Sequence, residues 1–155
     1  MITSRKFKSK ATLLLRSCQS IVITSFEDFE HRSVLIADLE NKRQLSIWDR
    51  LMFIAATATA LLQLESRMKA KDFQGFFKVL CEQLRKVDPK GDEMLTHLVM
   101  FIHQRAEYGV PFETSIGSWV ISNIKGAAPT EAELIVAPQI GEYLADSLNS
   151  WWTRI

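Results

Sequence analysis

The sequence predicts an all-α fold, a compact bundle of about six or seven helices. Apolar residues recur at intervals of three and four along most of the chain, which places them on one face of successive helices. Glycine and proline are sparse, at six and four residues, and lie mainly after residue 88, where they separate helical segments. The 155 residues are 47% apolar and 24% charged, which is typical of a globular domain and argues against disorder.

The first region of the chain differs from the rest in charge. Residues 1–26 carry five basic residues and no acidic one, although the net charge of the whole chain is only +1. We expect residues 1–9 to form a flexible basic arm and residues 10–155 to form a single helical domain. Helical spacing predicts that the first helix buries Ala11, Leu14, Leu15, Cys18, Val22, Phe26 and Phe29.

A central helix is predicted from about residue 47 to 69. Ser46 and Asp49 have the spacing of a capping box at its start. Because the helix is apolar on nearly all sides, it belongs in the middle of a bundle. Its longest uncharged stretch, residues 51–64, is shorter than the roughly 20 residues that a bilayer requires, so we predict no transmembrane segment. Before it, residues 30–45 are ambiguous: we favour a short helix, with a β-hairpin over 30–47 as the alternative.

Four further helices are predicted, over about 73–87, 92–108, 115–125 and 131–155. The first of them presents an apolar stripe of Phe73, Phe76, Phe77, Leu80, Cys81, Leu84 and Val87. Thr130 and Glu133 form a capping box at the start of the last helix. Since Pro138 lacks a backbone N–H, we expect a break or kink near Ala137.

The sequence contains no local motif for catalysis or cofactor binding. It has no glycine-rich phosphate loop, Cys-x-x-Cys pair, His-Glu-x-x-His motif or nucleophile elbow. Glu93, His97, His103 and Glu107 share one sector of a predicted helix, at spacings that would suit metal ligands. That sector lies opposite the apolar face, so we interpret it as a solvated polar face and predict no metal and no cofactor.

Two groups of residues are candidates for contacts with partners. Trp151 and Trp152 lie side by side near the end of the last helix, and an indole at the edge of an apolar stripe often marks a protein interface. The basic residues Arg5, Lys6, Lys8 and Lys10 suit an anionic surface. With Arg16 they make five charges spread over 16 residues, which is a thin signal for nucleic acid, and peripheral membrane contact or mitochondrial targeting are minority hypotheses.

These observations favour a non-catalytic helical module that binds another protein or itself, as an adaptor, regulator or inhibitor-type partner. Cys18 and Cys81 lie at predicted core positions and are expected to be reduced thiols of a cytoplasmic protein. The alternatives are a helical sensor with an apolar pocket for a small molecule, nucleic-acid binding through the basic arm, and an enzyme whose site is assembled from residues distant in sequence.

Overall fold

The computed structural model describes residues 2–23, 25 and 42–153, with side chains over residues 5–23, 25 and 47–150. Within those residues the chain forms six helices and no strand, which confirms the all-α prediction. The helices are α1 (Ile2–Ile23), α2 (Lys42–Glu65), α3 (Ala70–Val87), α4 (Gly91–Ala106), α5 (Phe112–Lys125) and α6 (Glu131–Thr153).

Helix α2 is the centre of the bundle, as its apolar sequence predicts. Every residue from 51 to 61 is buried, and α2 packs against all the other described helices. Four of these residues are alanines, whose small side chains allow neighbouring helices to approach closely. The predicted bounds were wrong at both ends. Residues 42–46 are already helical, because this polar stretch contains good helix formers, so Ser46 does not begin the helix.

Helix α2 is apolar enough to raise the question of whether it spans a membrane or forms the core of the bundle. Among the described residues, only Ile47–Glu65 is long and apolar enough to cross a membrane, with a mean hydropathy of 1.2. In the bundle 67% of that segment is buried against protein. Burial by neighbouring helices is the usual condition of a core helix.

Helix α1 includes residues 2–9 of the segment for which a flexible basic arm is predicted. The helix begins at Ile2, and the Phe7 ring is only 8% exposed and meets Phe76 edge-on at 6.1 Å between centroids. Phe7 lies one turn before Ala11, so it extends the apolar stripe and anchors the basic segment to the core. The predicted core positions from Ala11 to Val22 are buried. Phe26 and Phe29 lie outside the described residues.

Two other predictions of local structure can be compared with the helices. Residues 42–47 belong to α2, so the hairpin alternative is wrong for them, and residues 30–41 lie outside the described part of the chain. Helix α6 continues through Pro138, so of the predicted break or kink near Ala137 the break is wrong. The carbonyl that loses its partner to Pro138 is that of Leu134, which lies on an exposed turn where water can bind it.

Helices α5 and α6 form a hairpin with well-defined ends. Gly126 ends α5 in the left-handed conformation, at a φ of 70°, and its N–H donates to the Ser122 carbonyl. The predicted capping box is confirmed: the Thr130 N–H donates to Glu133 Oε1 at 2.8 Å, and the Glu133 N–H donates to Thr130 Oγ1 at 3.3 Å. The remaining turns lie within a few residues of their predicted positions.

Candidate functional site

The described surface has a largely apolar groove between α1, α2 and the turn that joins α3 to α4. Its walls are formed by residues 19–23 of α1, by the first half of α2 and by that turn. Its volume is about 430 Å³. The groove is lined by Gln19, Val22, Ile23, Asp49, Arg50, Phe53, Val87, Asp88 and Pro89. The volume falls in the range of roughly 300–1,000 Å³ that is usual for binding clefts.

Large apolar side chains remain exposed in this groove. Ile23 is 78% exposed and Val87 is 53% exposed, whereas Phe53 forms part of the floor and is nearly buried. Ile23 lies between two buried residues of the same segment, Val22 and Ser25, on the face that points away from the core, and Val87 is the last residue of α3. An apolar surface of this kind gains free energy when a ligand or partner removes it from water.

An ion pair fixes the polar rim of the groove. Arg50 Nε donates to Asp88 Oδ2 at 2.7 Å, and Arg50 Nη2 donates to Asp88 Oδ1 at 3.0 Å. The Lys90 N–H also donates to Asp88 Oδ1, so the carboxylate holds the turn that follows α3. The hydrogen bond from Arg50 keeps the pKa of Asp88 below its usual value. The pair thereby ties α2 to the α3–α4 turn and sets the shape of one wall.

The opposite wall is held by a buried chain of hydrogen bonds. The indole N–H of Trp48 donates to Ser25 Oγ at 3.0 Å, and the Ser25 hydroxyl donates to the Val22 carbonyl at 2.8 Å. Both side chains are fully buried. Since a buried donor or acceptor is costly to leave unpaired, this chain fixes the end of α1 against the start of α2. Beside it, burial raises the pKa of Asp49 at the rim.

The described residues do not assemble a metal site or a reactive thiol. No group of three or more His, Cys, Asp or Glu residues in this part of the chain is placed to hold a metal ion. Burial raises the pKa of the Cys18 thiol to about 12, so it is protonated at neutral pH and is a poor nucleophile. Burial also raises the pKa of Cys81, and neither cysteine forms a disulfide.

The weak metal candidates lie on the outer surface of α4 and at its end. Glu93, His97, His103 and Glu107 are all exposed, as expected for a solvated polar face. His103 Nε2 lies 3.6 Å from Glu65 Oε2 of α2, a separation that suits an exposed ion pair between neighbouring helices. The structure therefore does not bring these four side chains together into a ligand set.

The structure describes the side chains of one of the two groups of candidate contact residues. Arg5, Lys6, Lys8 and Lys10 are exposed on the outer face of α1. The backbones of Trp151 and Trp152 continue α6, and their side chains lie outside the described atoms. Their proposed part in an interface stays a prediction.

The groove was not predicted because helical spacing placed Val87 in a core stripe, whereas 53% of this residue is exposed. A signal was present in the chain: Val87 is followed directly by Asp88 and Pro89, so the stripe ends at a turn. Ile23 falls outside the spacing of the first stripe, which also indicates an exposed position.

Comparisons of the chain with protein-family models, with curated proteins and with solved structures return no match.

Proposed function

We propose that the protein is a non-catalytic helical module that binds another protein, and that the groove between α1, α2 and α3 receives apolar side chains of that partner. The observation that carries the proposal is the exposure of Ile23 and Val87 in a groove with a fixed polar rim. Each such side chain contributes roughly 1.5–3 kcal/mol when it passes from water to a fully buried position.

The rim supports the same proposal. Arginine is enriched at protein interfaces, and the planar guanidinium of Arg50 is held in place by Asp88, so a partner need not order it. An apolar centre with a polar border is the usual anatomy of a protein interface. As part of this proposal we place the protein in the cytoplasm, where its two unpaired thiols would stay reduced.

Val87→Glu is the direct test, with Met100→Glu as its matched control. The two residues are exposed to nearly the same extent, 53% and 54%, but Met100 lies on α4 outside the groove lining. Both variants should fold with stabilities within about 0.5 kcal/mol of the parent, because both sites are on the surface. We expect a stoichiometric partner captured from lysate by the parent and by Met100→Glu to be lost with Val87→Glu. Equal capture by all three proteins would contradict the groove as the binding site.

A small apolar molecule is the second candidate occupant, since a volume of about 430 Å³ would hold one. A ligand bound only by the folded protein raises its melting temperature by mass action. If metabolites raise the melting temperature of the parent and of Met100→Glu but not of Val87→Glu, the groove is a sensor pocket. In that case we expect no protein partner to depend on Val87.

A further inference from the structure

The outer face of α1 is basic over its whole charged length. The helix carries five basic side chains and no acidic one, and all five are exposed. Arg5, Lys8 and Arg16 border a shallow depression of about 610 Å³ together with three uncharged residues. One of these is Leu13, which is 47% exposed. This surface therefore consists of an apolar spot within a border of positive charge.

The outer face of α6 has the opposite charge. Its sequence contains four acidic residues and no basic one. Glu131, Glu142 and Asp146 are exposed, and at 100° per residue they lie within a sector of about 60°. Ile135 falls in the same sector and is 70% exposed. Like the α1 face, the α6 face therefore consists of an exposed apolar residue among charged residues, but its charges are negative.

From this complementarity we propose that two copies of the chain associate, with the basic face of α1 in each copy lying against the acidic face of α6 in the other. The apolar residues would meet at the centre of each contact, Leu13 of one copy near Ile135 of the second copy. The charged residues would surround them, as in the polar rim of a protein interface. Opposite potentials of this kind favour the correct pairing and speed association.

The geometry of the bundle suits a reciprocal contact. Helices α1 and α6 touch each other, so the basic face and the acidic face are carried by adjacent helices of each copy. At 1.5 Å per residue, the charged stretch of α1 from residue 5 to 16 spans about 17 Å and that of α6 from residue 131 to 146 about 23 Å, so the basic stretch fits within the acidic one. One helix pair of this size would bury too little for a stable dimer, and a two-fold axis that generates a second, equivalent pair doubles the buried area.

Other occupants of the basic face agree less well with the described residues. The apolar stripe of α1 is buried in the bundle, so over residues 5–23 the exposed large apolar side chains that could meet a membrane surface are Leu13 and Ile23. Phe7, the aromatic residue of α1, is also buried and offers no platform for stacking nucleic-acid bases. The proposal does not involve the groove, so it stands or falls independently of the proposed function.

Charge reversal on each face tests the proposal. The α1 variant is Lys8→Glu with Arg16→Glu, and the α6 variant is Glu142→Lys with Asp146→Lys. Sedimentation equilibrium at roughly 50 and 500 mM salt would give the mass of each protein, since screening differs severalfold between those conditions. We expect the parent to be a dimer that weakens at high salt. Each variant should dissociate at least about tenfold more readily, because like charges then face each other.

Mixing the α1 variant with the α6 variant tests directly whether these two faces contact each other. In a heterodimer, the acidic α1 of the first variant faces the basic α6 of the second, and the other contact keeps its natural sense of opposite charge. We expect the mixture to recover the dimer that neither variant forms alone. The control for the α1 variant is Lys78→Glu with Lys86→Glu, at two exposed positions on α3. It changes the net charge by the same amount as the α1 variant and should leave the dimer intact.

Several results would overturn the proposal. The first is a parent protein that is monomeric at low salt, and the second is a dimer that persists in both the α1 variant and the α6 variant. The others are loss of the dimer in the α3 control and a mixture of the two variants that stays monomeric. A monomeric parent that binds a DNA duplex or anionic vesicles through Lys8 and Arg16 would also overturn it and would assign the face to a polyanion. Circular dichroism of each variant verifies that the helices are retained.

Discussion

The α5–α6 hairpin and the groove between α1, α2 and α3 are both built from amphipathic helices, but they differ in how closely the helices approach. The hairpin helices meet backbone to backbone, whereas the groove is open to solvent. In the hairpin, glycines lie where the helices cross: a Cβ added to Gly117 would overlap the Ala137 backbone, and one added to Gly141 would overlap the Glu113 backbone. In the groove, the large side chains of Ile23 and Val87 are exposed and no neighbouring helix covers them. Small residues thus let two backbones meet and exclude water, whereas the groove keeps apolar side chains in contact with solvent.

The largest effect is expected where the hairpin is closed by backbone contact. Glycine to alanine in a helix normally stabilises by up to about 1 kcal/mol. Gly117→Ala should instead lower the free energy of unfolding by about 3 kcal/mol, because the added methyl group can be accommodated only if α5 and α6 move apart. Urea unfolding would measure the change.

Gly75→Ala is the matched control for that prediction. Its added Cβ would lie 2.9 Å from Phe7 Cε2, a side-chain atom rather than a backbone atom, so the methyl group can be accommodated by a small shift of one ring without separating two helices. We expect a change of no more than about 1 kcal/mol. If Gly117→Ala proves as stable as Gly75→Ala, the close approach of the two backbones is not what distinguishes the hairpin.

A smaller effect is expected from the capping box that joins α5 to α6. Lys125 Nζ donates to Glu133 Oε1 at 2.6 Å, and the carboxylate also accepts the Thr130 N–H. Burial alone would raise the pKa of Glu133, but the hydrogen bonds from Lys125 and Thr130 outweigh it and hold the pKa below its ordinary value of 4.5. Glu133→Gln should cost about 1–2 kcal/mol at neutral pH.

The pH dependence of that cost has a definite sign. A carboxylate whose pKa is lower in the folded protein stabilises it above the unfolded pKa and loses that contribution as pH falls through the folded value. The stability difference between the parent and Glu133→Gln should therefore be full above about pH 5.5 and shrink as the pH falls below 4.5. Unfolding curves at a series of pH values would show this, and a difference that grows in acid would contradict it.

The smallest stability effect is expected at the groove. Asp88→Asn removes the ion pair with Arg50, whose side chain is 47% exposed, so the cost at neutral pH should be about 0.5–1 kcal/mol and should fall in high salt. Asp92→Asn breaks a similar exposed pair with Arg85 outside the groove and is the control. Only Asp88→Asn should weaken partner binding, because only that pair shapes the wall. Equal binding by both variants would show that the rim has no part in recognition.

The hairpin and the groove also show which features could be predicted from the sequence and which could not. The capping box at Thr130 and Glu133 was predictable because its hydrogen bonds join residues three apart. The close approach at Gly117 and Gly141 was not, since isolated glycines in a helical pattern do not reveal which backbone they meet. The exposure of Val87 was missed for a related reason: spacing identifies a helix face but does not show how much of that face a neighbour covers.

By itself, the sequence determined that the chain is helical, that α2 lies at the centre, and where most of the later turns fall, because these depend on periodicity and on contacts a few residues apart. The tertiary structure alone decided that Phe7 carries the basic segment into a helix, that α6 continues through Pro138, and that Ile23 and Val87 border one groove with the Arg50–Asp88 pair. The physical reason is the range of the interactions: caps and stripes are local, whereas burial and clefts depend on which helices pack together.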